Sequence, residues 1–394
     1  MTIELNNGLI SPSEATGKWE QAAWRIGVEV AGPAADDVDR LARFPAEAVE
    51  AIRAEKLLSA LLPAELDGGG ASLVDMVAAV RALATHCASS ALVLAMHCIE
   101  VYNISRHGDT DALRSLARDI SADGLLLANA NSEVGVGGDV GRSICALDRT
   151  TSPWTLEKHA LAISYGENAD VILTTARRDP DAAETDQVFI AARRGDFDLE
   201  PTSEWDTLGL RGTCSRSFKL TVRADPELVF PVAFSTIAND GSGQARQLLL
   251  SAVWVGLAEA AAAKAHAYVR AAARRSVGTT PQSAMRLAEI AADLEEGRSL
   301  LVAQALRFGW LESKSDLENA GFTIALRNLK VTTSTLGVRT ATAALGICGI
   351  TGYKRDSEFS LDRVIRDAHG GLIMVSNDRY LADNAQLLLA RKQI

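Results

Sequence analysis

Four stretches of the 394-residue chain combine residue types and spacings that suit chemistry. The first is Asn131-Ser132-Glu133-Val134-Gly135-Val136-Gly137-Gly138-Asp139. Its Gly-x-Gly-Gly turn lets backbone N–H groups approach a ligand closely, as phosphate and flavin loops require. A tight connection between strands would need the same composition. No strand–helix–strand pattern surrounds it, so it is not a dinucleotide fingerprint. The second and third, LAISYG (161–166, with Ser164) and LGLRGT (208–213), each precede a strand-like run. The fourth, residues 366–380, reads RDAHGGLIMVSNDRY. It passes from Arg366-Asp367 through Gly370-Gly371 to the polar cluster Asn377-Asp378-Arg379. A glycine inside a helix costs about 1 kcal/mol relative to alanine, so the pair calls for a reason. Asp378 offers a carboxylate for proton transfer, whereas Asn377 and Asp378 are also residue types that cap a following helix.

The elements that must hold these stretches fall into three blocks: 1–123, 124–228 and 229–394. The first is rich in alanine and leucine at helical spacing, as in the run Ser72–Met96, and is broken by Pro63 and by Asp67-Gly68-Gly69-Gly70. The middle block holds short β-branched runs, DVILTTARR, QVFIAARR and RSFKLTVRA, which predict strands of a small sandwich or barrel. Long helical patterns return from about residue 236, including LLLSAVWVGLAEAAAAKAHAYVRAAARR, SAMRLAEIAADLEEGRSLLVAQALRFGW and FTIALRNLKVTTSTLGVRTATAALGI. Apolar helices of this length predict a bundle and an oligomer. The fold class expected is mostly α with a central β domain.

Composition narrows the partners. A net charge of −10 argues against binding nucleic acid or an anionic membrane. No apolar run reaches the roughly 20 residues of a bilayer span, and the N-terminus lacks the pattern of a signal peptide. The five cysteines are scattered, with no CxxC pair, so no metal site is indicated and buried thiols in a reducing cytoplasm are expected.

Taken together, these residues resemble the acyl-CoA dehydrogenase family over nearly the whole chain. KLLSALLPAELDGGGASLVDMVAAV resembles the family's GLLGLLVPEEYGG segment and the helix after it. SEVGVGGD resembles TEPGAGSD, LAISYG falls where the family has WITNG, and LGLRGT matches its G-[LM]-R-x-[ST] turn. GICGITGYKRDSEFSLDRVIRDA resembles the family's segment ending in RDA. The resemblance implies an N-terminal helical domain, a middle β domain and a C-terminal four-helix bundle, assembled as a tetramer or dimer, with FAD between the β domain and the bundle. Asn131 and Ser132 would face the isoalloxazine ring and Ser164 would hydrogen-bond it near N5, with Gly137, Gly349 and Asn377 also on the cofactor side. Arg274, in Arg274-Arg275-Ser276-Val277-Gly278, would meet the pyrophosphate of a neighbouring subunit's FAD. Val277 and Gly346 depart from the family pattern on the adenosine side, which keeps FMN open as well.

The family's catalytic glutamate lies nine residues after the RDA arginine, and that position here is Val375. The alternative glutamate site on the first bundle helix falls at Ala245 or Arg246. The histidine of the family's monooxygenases, eight residues after the same arginine, falls at Met374. The resemblance therefore implies a flavin-dependent oxidoreductase that desaturates an acyl thioester, bound to CoA or a carrier protein, with a non-standard base, Asp378. Arg246, His97 and Val375 would touch substrate, and an electron-acceptor flavoprotein or a flavin reductase would be the redox partner. The alternatives are a reductase-dependent monooxygenase and a non-catalytic subunit paired with an active paralogue.

Overall fold

The computed structural model describes residues 17–275 and 280–390. Among the described residues six α-helices come first: α1 (Lys18–Ile26), α2 (Gly32–Leu41), α3 (Ala46–Ala54), α4 (Leu73–Ala84), α5 (Ala88–His107) and α6 (Asp111–Asp123). Local chemistry sets several ends. Ser72 and Asp75 form a reciprocal capping box at the start of α4. Thr110 caps α6, and Gly124 ends it in the left-handed conformation. The run Ser72–Met96, read as one helical stretch, is two helices. Cys87 is extended (φ −147°) between α4 and α5, and the preceding His86 turns its ring onto α1, edge-on to Trp24 at 4.8 Å. That contact is tertiary and has no local breaker residue to announce it.

The middle region holds β1 (Leu127–Ala130), β2 (Trp154–Ala160), β3 (Val171–Arg177), β4 (Gln187–Arg193), β5 (Phe197–Pro201) and β6 (Phe218–Ala224). They form two three-stranded sheets, ordered β1-β3-β4 and β2-β6-β5. β1 runs parallel to β3 with Leu127 opposite Val171, and the other pairs are antiparallel. β3 and β4 are buried on both faces, whereas β6 alternates, so its second face meets solvent.

The chain then returns to helices: α7 (Phe234–Ile237), α8 (Gly243–Arg275), α9 (Ser283–Ser313), α10 (Ala320–Tyr353), α11 (Asp362–Ile373) and α12 (Asn377–Ala390). α8 is the axis of the molecule, buried on most faces by α4, α5, α9, α10 and α11. Together with α7 its run is long and apolar enough to cross a membrane by composition, yet its most apolar window is buried within the protein. Gly256 brings α8 against α4, since a Cβ there would stand 2.3 Å from the Arg81 carbonyl oxygen. α10 kinks at Gly349, whose φ of +57° and ψ of −140° suit glycine alone. The architecture is thus helical domain, small β domain, helical bundle.

Candidate functional site

A cavity of about 1320 Å³ opens where the β domain meets the bundle. Its β side is the glycine-rich turn. Glu133 anchors that turn from beneath: its buried carboxylate accepts from the Ser143 hydroxyl at 2.9 Å and from the Ile144 and Cys145 backbone N–H groups at 3.1 and 2.7 Å. Lys158, wholly buried and donating to Thr175, lies 4.0 Å from the same carboxylate, and burial lowers its proton affinity. With its base held, the turn presents Ser132 and Gly137–Gly141 to the cavity. Gly137 sits at φ +62° with open space where a Cβ would be. Across the opening, Arg379 of α12 pairs with Asp139 at 3.0 Å.

Ser164 ends a chain of hydroxyls. Thr213 Oγ1 donates to the Leu210 carbonyl at 2.9 Å, lies 2.8 Å from Ser215 Oγ, and Ser215 lies 2.8 Å from Ser164 Oγ. Each hydroxyl has one proton. With Thr213 bonded to Leu210, Ser215 must donate to Thr213 and Ser164 to Ser215, so Ser164 offers lone pairs to the cavity. The reverse orientation is also accessible, because the Leu210 carbonyl keeps the Trp205 indole at 3.3 Å and the Thr213 N–H as donors. The chain therefore adapts to a ligand atom that donates or accepts. Asn131 Oδ1, buried on the cavity wall, has no protein partner. An orphaned acceptor, an adaptable hydroxyl and an open glycine cradle side by side fit the edge of a flavin ring.

The LGLRGT turn and the Arg366-Asp367 pair, separate in sequence, are one unit in space. Asp367 is buried and accepts the Leu210 N–H at 2.6 Å; burial pushes its carboxyl up to about 6 against the pull of Arg363. Arg366 donates to Asp39 of α2, to Asp362 and to the Leu208 carbonyl. These bonds tie the first helical region and the β domain to α11 at the cavity rim. The double glycine serves the same closeness. A Cβ on Gly370 would stand 2.4 Å from Leu210 Cδ1, and one on Gly371 would stand 3.1 Å from the Trp254 ring. The pair thus lets α11 lie against the turn and α8, which is the reason the sequence calls for.

Of the residues read from sequence, Asn131, Ser132, Gly137, Ser164, Arg246 and Val375 line this one cavity. Five others stand elsewhere. Asp378 is exposed at the start of α12 and outside the cavity, because its α12 position points away from the wall that Val375, Arg379 and Tyr380 form. His97 is fully buried, its Nε2 donating to the Leu58 carbonyl at 2.7 Å and its Nδ1 accepting the Leu127 N–H at 3.0 Å. Burial lowers it to about 4, so it is a neutral strut without a nitrogen for substrate. Asn377 is turned inward to Lys330 and Ser334. Gly349 is the exposed kink of α10, and Arg274 is exposed in the last turn of α8. The rest of the Arg274 motif, residues 276–278, lies outside the described residues.

The structure brings forward groups that the sequence reading did not select, and one, Arg327, that it did not mention. Glu100, wholly buried on α5, accepts from Asn129 Nδ2 at 2.7 Å and Asn103 Nδ2 at 3.0 Å. Burial pushes it up to about 7 despite those bonds and the nearby positive charge of Arg246. Asn129 and Arg246 both line the cavity, so Glu100 is its concealed second layer. Arg327 faces the same space, 3.4 Å from Asp383 and over the Tyr380 ring. His369 lines it too. Its Nδ1 meets the Ile365 carbonyl at 2.8 Å, so that nitrogen holds the proton and Nε2 is the acceptor of the neutral ring. Its place in RDAHGG was visible, but its direction depended on the helix that bears it.

Comparison with known proteins agrees with this geometry. The family model for the acyl-CoA dehydrogenase N-terminal domain matches residues 17–140, and the model for the C-terminal domain matches residues 242–375. A probable acyl-CoA dehydrogenase, fadE25 of Mycobacterium leprae, is 25% identical over 348 residues, covering 85% of each chain. The 3-sulfinopropanoyl-CoA desulfinase of Paraburkholderia xenovorans is 24% identical over 365 residues, covering 90% of this chain and 91% of that protein. Among solved structures, FMN-bound TdsC from Paenibacillus sp. A11-2 superposes with a TM-score of 0.83 at 18% identity, over 96% of this chain and 98% of that one. Butyryl-CoA dehydrogenase from Megasphaera elsdenii gives 0.81 at 20% identity, over 96% and 99%. The chain belongs to the acyl-CoA dehydrogenase family of flavin-dependent oxidoreductases, whose members bind FAD.

Proposed function

We propose that this protein desaturates an acyl thioester, bound to CoA or a carrier protein, without a carboxylate base. The makeup of the cavity supports this reading. Leu92, Met96 and Ile99 of α5, Leu250 of α8 and Leu326 of α10 give it an apolar interior suited to an acyl chain, beside the flavin-binding turn and Ser164. A bound flavin supplies the two-electron acceptor for the β-hydride. Arg246 makes no ion pair among the described residues and offers its charge to the thioester or its phosphates. Among the described residues, the carboxylates that line the cavity, Asp139 and Asp383, are each paired with an arginine. His369 Nε2 is then the group free to take the α-proton.

The test is anaerobic mixing of the FAD-loaded protein with saturated acyl-CoA thioesters of short, long and branched chain. Oxidised-flavin absorbance should be lost without any reductase, and His369→Gln should slow the loss by about 10²–10⁴. An unchanged spectrum with every chain refutes the reading. The lack of an unpaired carboxylate on the wall favours a second one, a monooxygenase fed by a flavin reductase. In that case reduced flavin bound to the protein would consume oxygen faster than free reduced flavin. The dehydrogenase would instead pass electrons to an acceptor flavoprotein. Five free cysteines suit a reducing, cytoplasmic setting. The exposed stripe Val302, Leu306 and Trp310 along α9 suits burial against a second copy in a dimer or tetramer, which light scattering would register.

A further inference from the structure

Behind the cavity wall lies a buried ammonium that makes no ion pair among the described residues. Lys330 of α10 is fully buried, and its Nζ donates to the Val375 carbonyl at 2.6 Å and to Asn377 Oδ1 at 2.7 Å. Asn377 Nδ2 in turn donates to Ser334 Oγ at 3.1 Å. A buried charge is unfavourable unless its hydrogen bonds are met. One acceptor lies in the tight connection between α11 and α12, where the resemblance places the family's glutamate, and the other is the first residue of α12. α11 closes with the Met374 N–H on the Gly370 carbonyl, and α12 opens with the Tyr380 N–H on the Ser376 carbonyl. Between them Val375 sits at φ +52°. That left-handed conformation is a true outlier for a β-branched residue, which would leave it if nothing opposed. Yet Val375 and Tyr380 both line the cavity.

We propose that Lys330 is a positioning residue: from behind the wall it holds the Val375 connection in its strained form, and thereby sets the shape that cofactor and substrate meet. The inference uses the proposed function only in taking the cavity as the ligand site. The groups around the ammonium leave the Val375 carbonyl and Asn377 Oδ1 as its two anchors. Tyr380 of α12 places its ring 5.8 Å away and is engaged with Gln247 of α8 through its hydroxyl. Arg327 of α10 is taken up by Asp383 of α12, and Arg246 of α8 lies beyond Tyr380 in the cavity.

A double-mutant cycle tests this, with FAD and butyryl-CoA as probes. Lys330→Met should weaken FAD or butyryl-CoA binding about tenfold, the population bias expected when one strained residue loses its support. In a Val375→Gly background, where the left-handed form needs no support, Lys330→Met should change binding less than about twofold. Equal losses in both backgrounds, or no loss in the parent, overturn the proposal. A pH titration of the unmutated protein keeps the test available if Lys330→Met does not fold. Burial lowers Lys330 to about 8, so affinity should fall as pH rises through that value, and Val375→Gly should remove the dependence. Between about 8 and the ordinary lysine range the folded state binds fewer protons than the unfolded one. Global stability through this group therefore rises with pH while the hold on Val375 weakens. Affinity that stays flat through pH 8 overturns the positioning role. Because FAD affinity is read separately from flavin bleaching, failure of acyl-thioester oxidation and failure of this proposal are distinguishable.

Discussion

Replacing Glu100 by glutamine should stabilise the protein above neutral pH and flatten its dependence on pH. Glu100 is wholly buried, and burial is the leading cause that raises it from 4.5 to about 7, opposed by Asn129, Asn103 and Arg246. Between those values the folded protein binds more protons than the unfolded chain. Stability therefore falls as pH rises through the window and the deficit is complete above it. At 1.36 kcal/mol per tenfold change in proton affinity, the deficit is about 3 kcal/mol. Glutamine keeps the shape and removes the charge. Its oxygen still accepts from Asn129, while its new N–H₂ meets Asn103, whose Oδ1 is buried without a partner. Rotation of the Asn103 amide would satisfy both. The expected gain is ~1–3 kcal/mol at pH 8 and near zero at pH 5. Urea unfolding followed by tryptophan fluorescence at pH 5, 6, 7 and 8 measures it, with the buried Trp254 among the reporters. Parallel pH profiles for the two proteins would show that the fold does not raise the proton affinity of Glu100 and would refute the reasoning.

Three further substitutions probe the packing around the cavity and its rim. Gly371→Val places methyl groups against Trp254 and Ser334, where a Cβ already stands at 3.1–3.2 Å; urea unfolding should show a loss of ~1–3 kcal/mol, and an unchanged midpoint would mean that α11 is not tightly seated. Asp367→Ala leaves the Leu210 N–H without its acceptor; a loss of about 1–3 kcal/mol is expected, with weaker FAD binding in a fluorescence titration because Leu208–Leu210 line the cavity. Asp378→Asn should leave flavin affinity and turnover within about twofold, since the side chain is exposed outside the cavity; a loss of turnover above tenfold would restore it as the base.

Patterns carried by neighbouring residues were legible before any coordinates. The long helices α8, α9 and α10 follow from apolar spacing sustained over many turns, and β3, β4 and β6 from their β-branched runs. β1, β2 and β5 were not read. β1 is four residues long, and β2 (WTLEKHA) has charged residues that mask its alternation, one of them the buried Lys158. The glycine-rich turn, Ser164 and Arg246 were singled out from motif and do meet in one cavity.

Residue identity alone determined that position 375, where the resemblance places the family's glutamate, holds a valine, which has no proton to exchange. It did not determine which group would face the ligand instead. Asp378 and His369 are both on RDAHGGLIMVSNDRY, yet one is exposed and the other lines the cavity. That choice depends on where α11 ends, on the left-handed Val375 and on Lys330, 45 positions earlier, donating to its carbonyl. Such bonds join residues far apart in the chain, and burial sets their strength. Local sequence encodes turns and periodicity, whereas the direction of a side chain and its proton affinity belong to the packed whole.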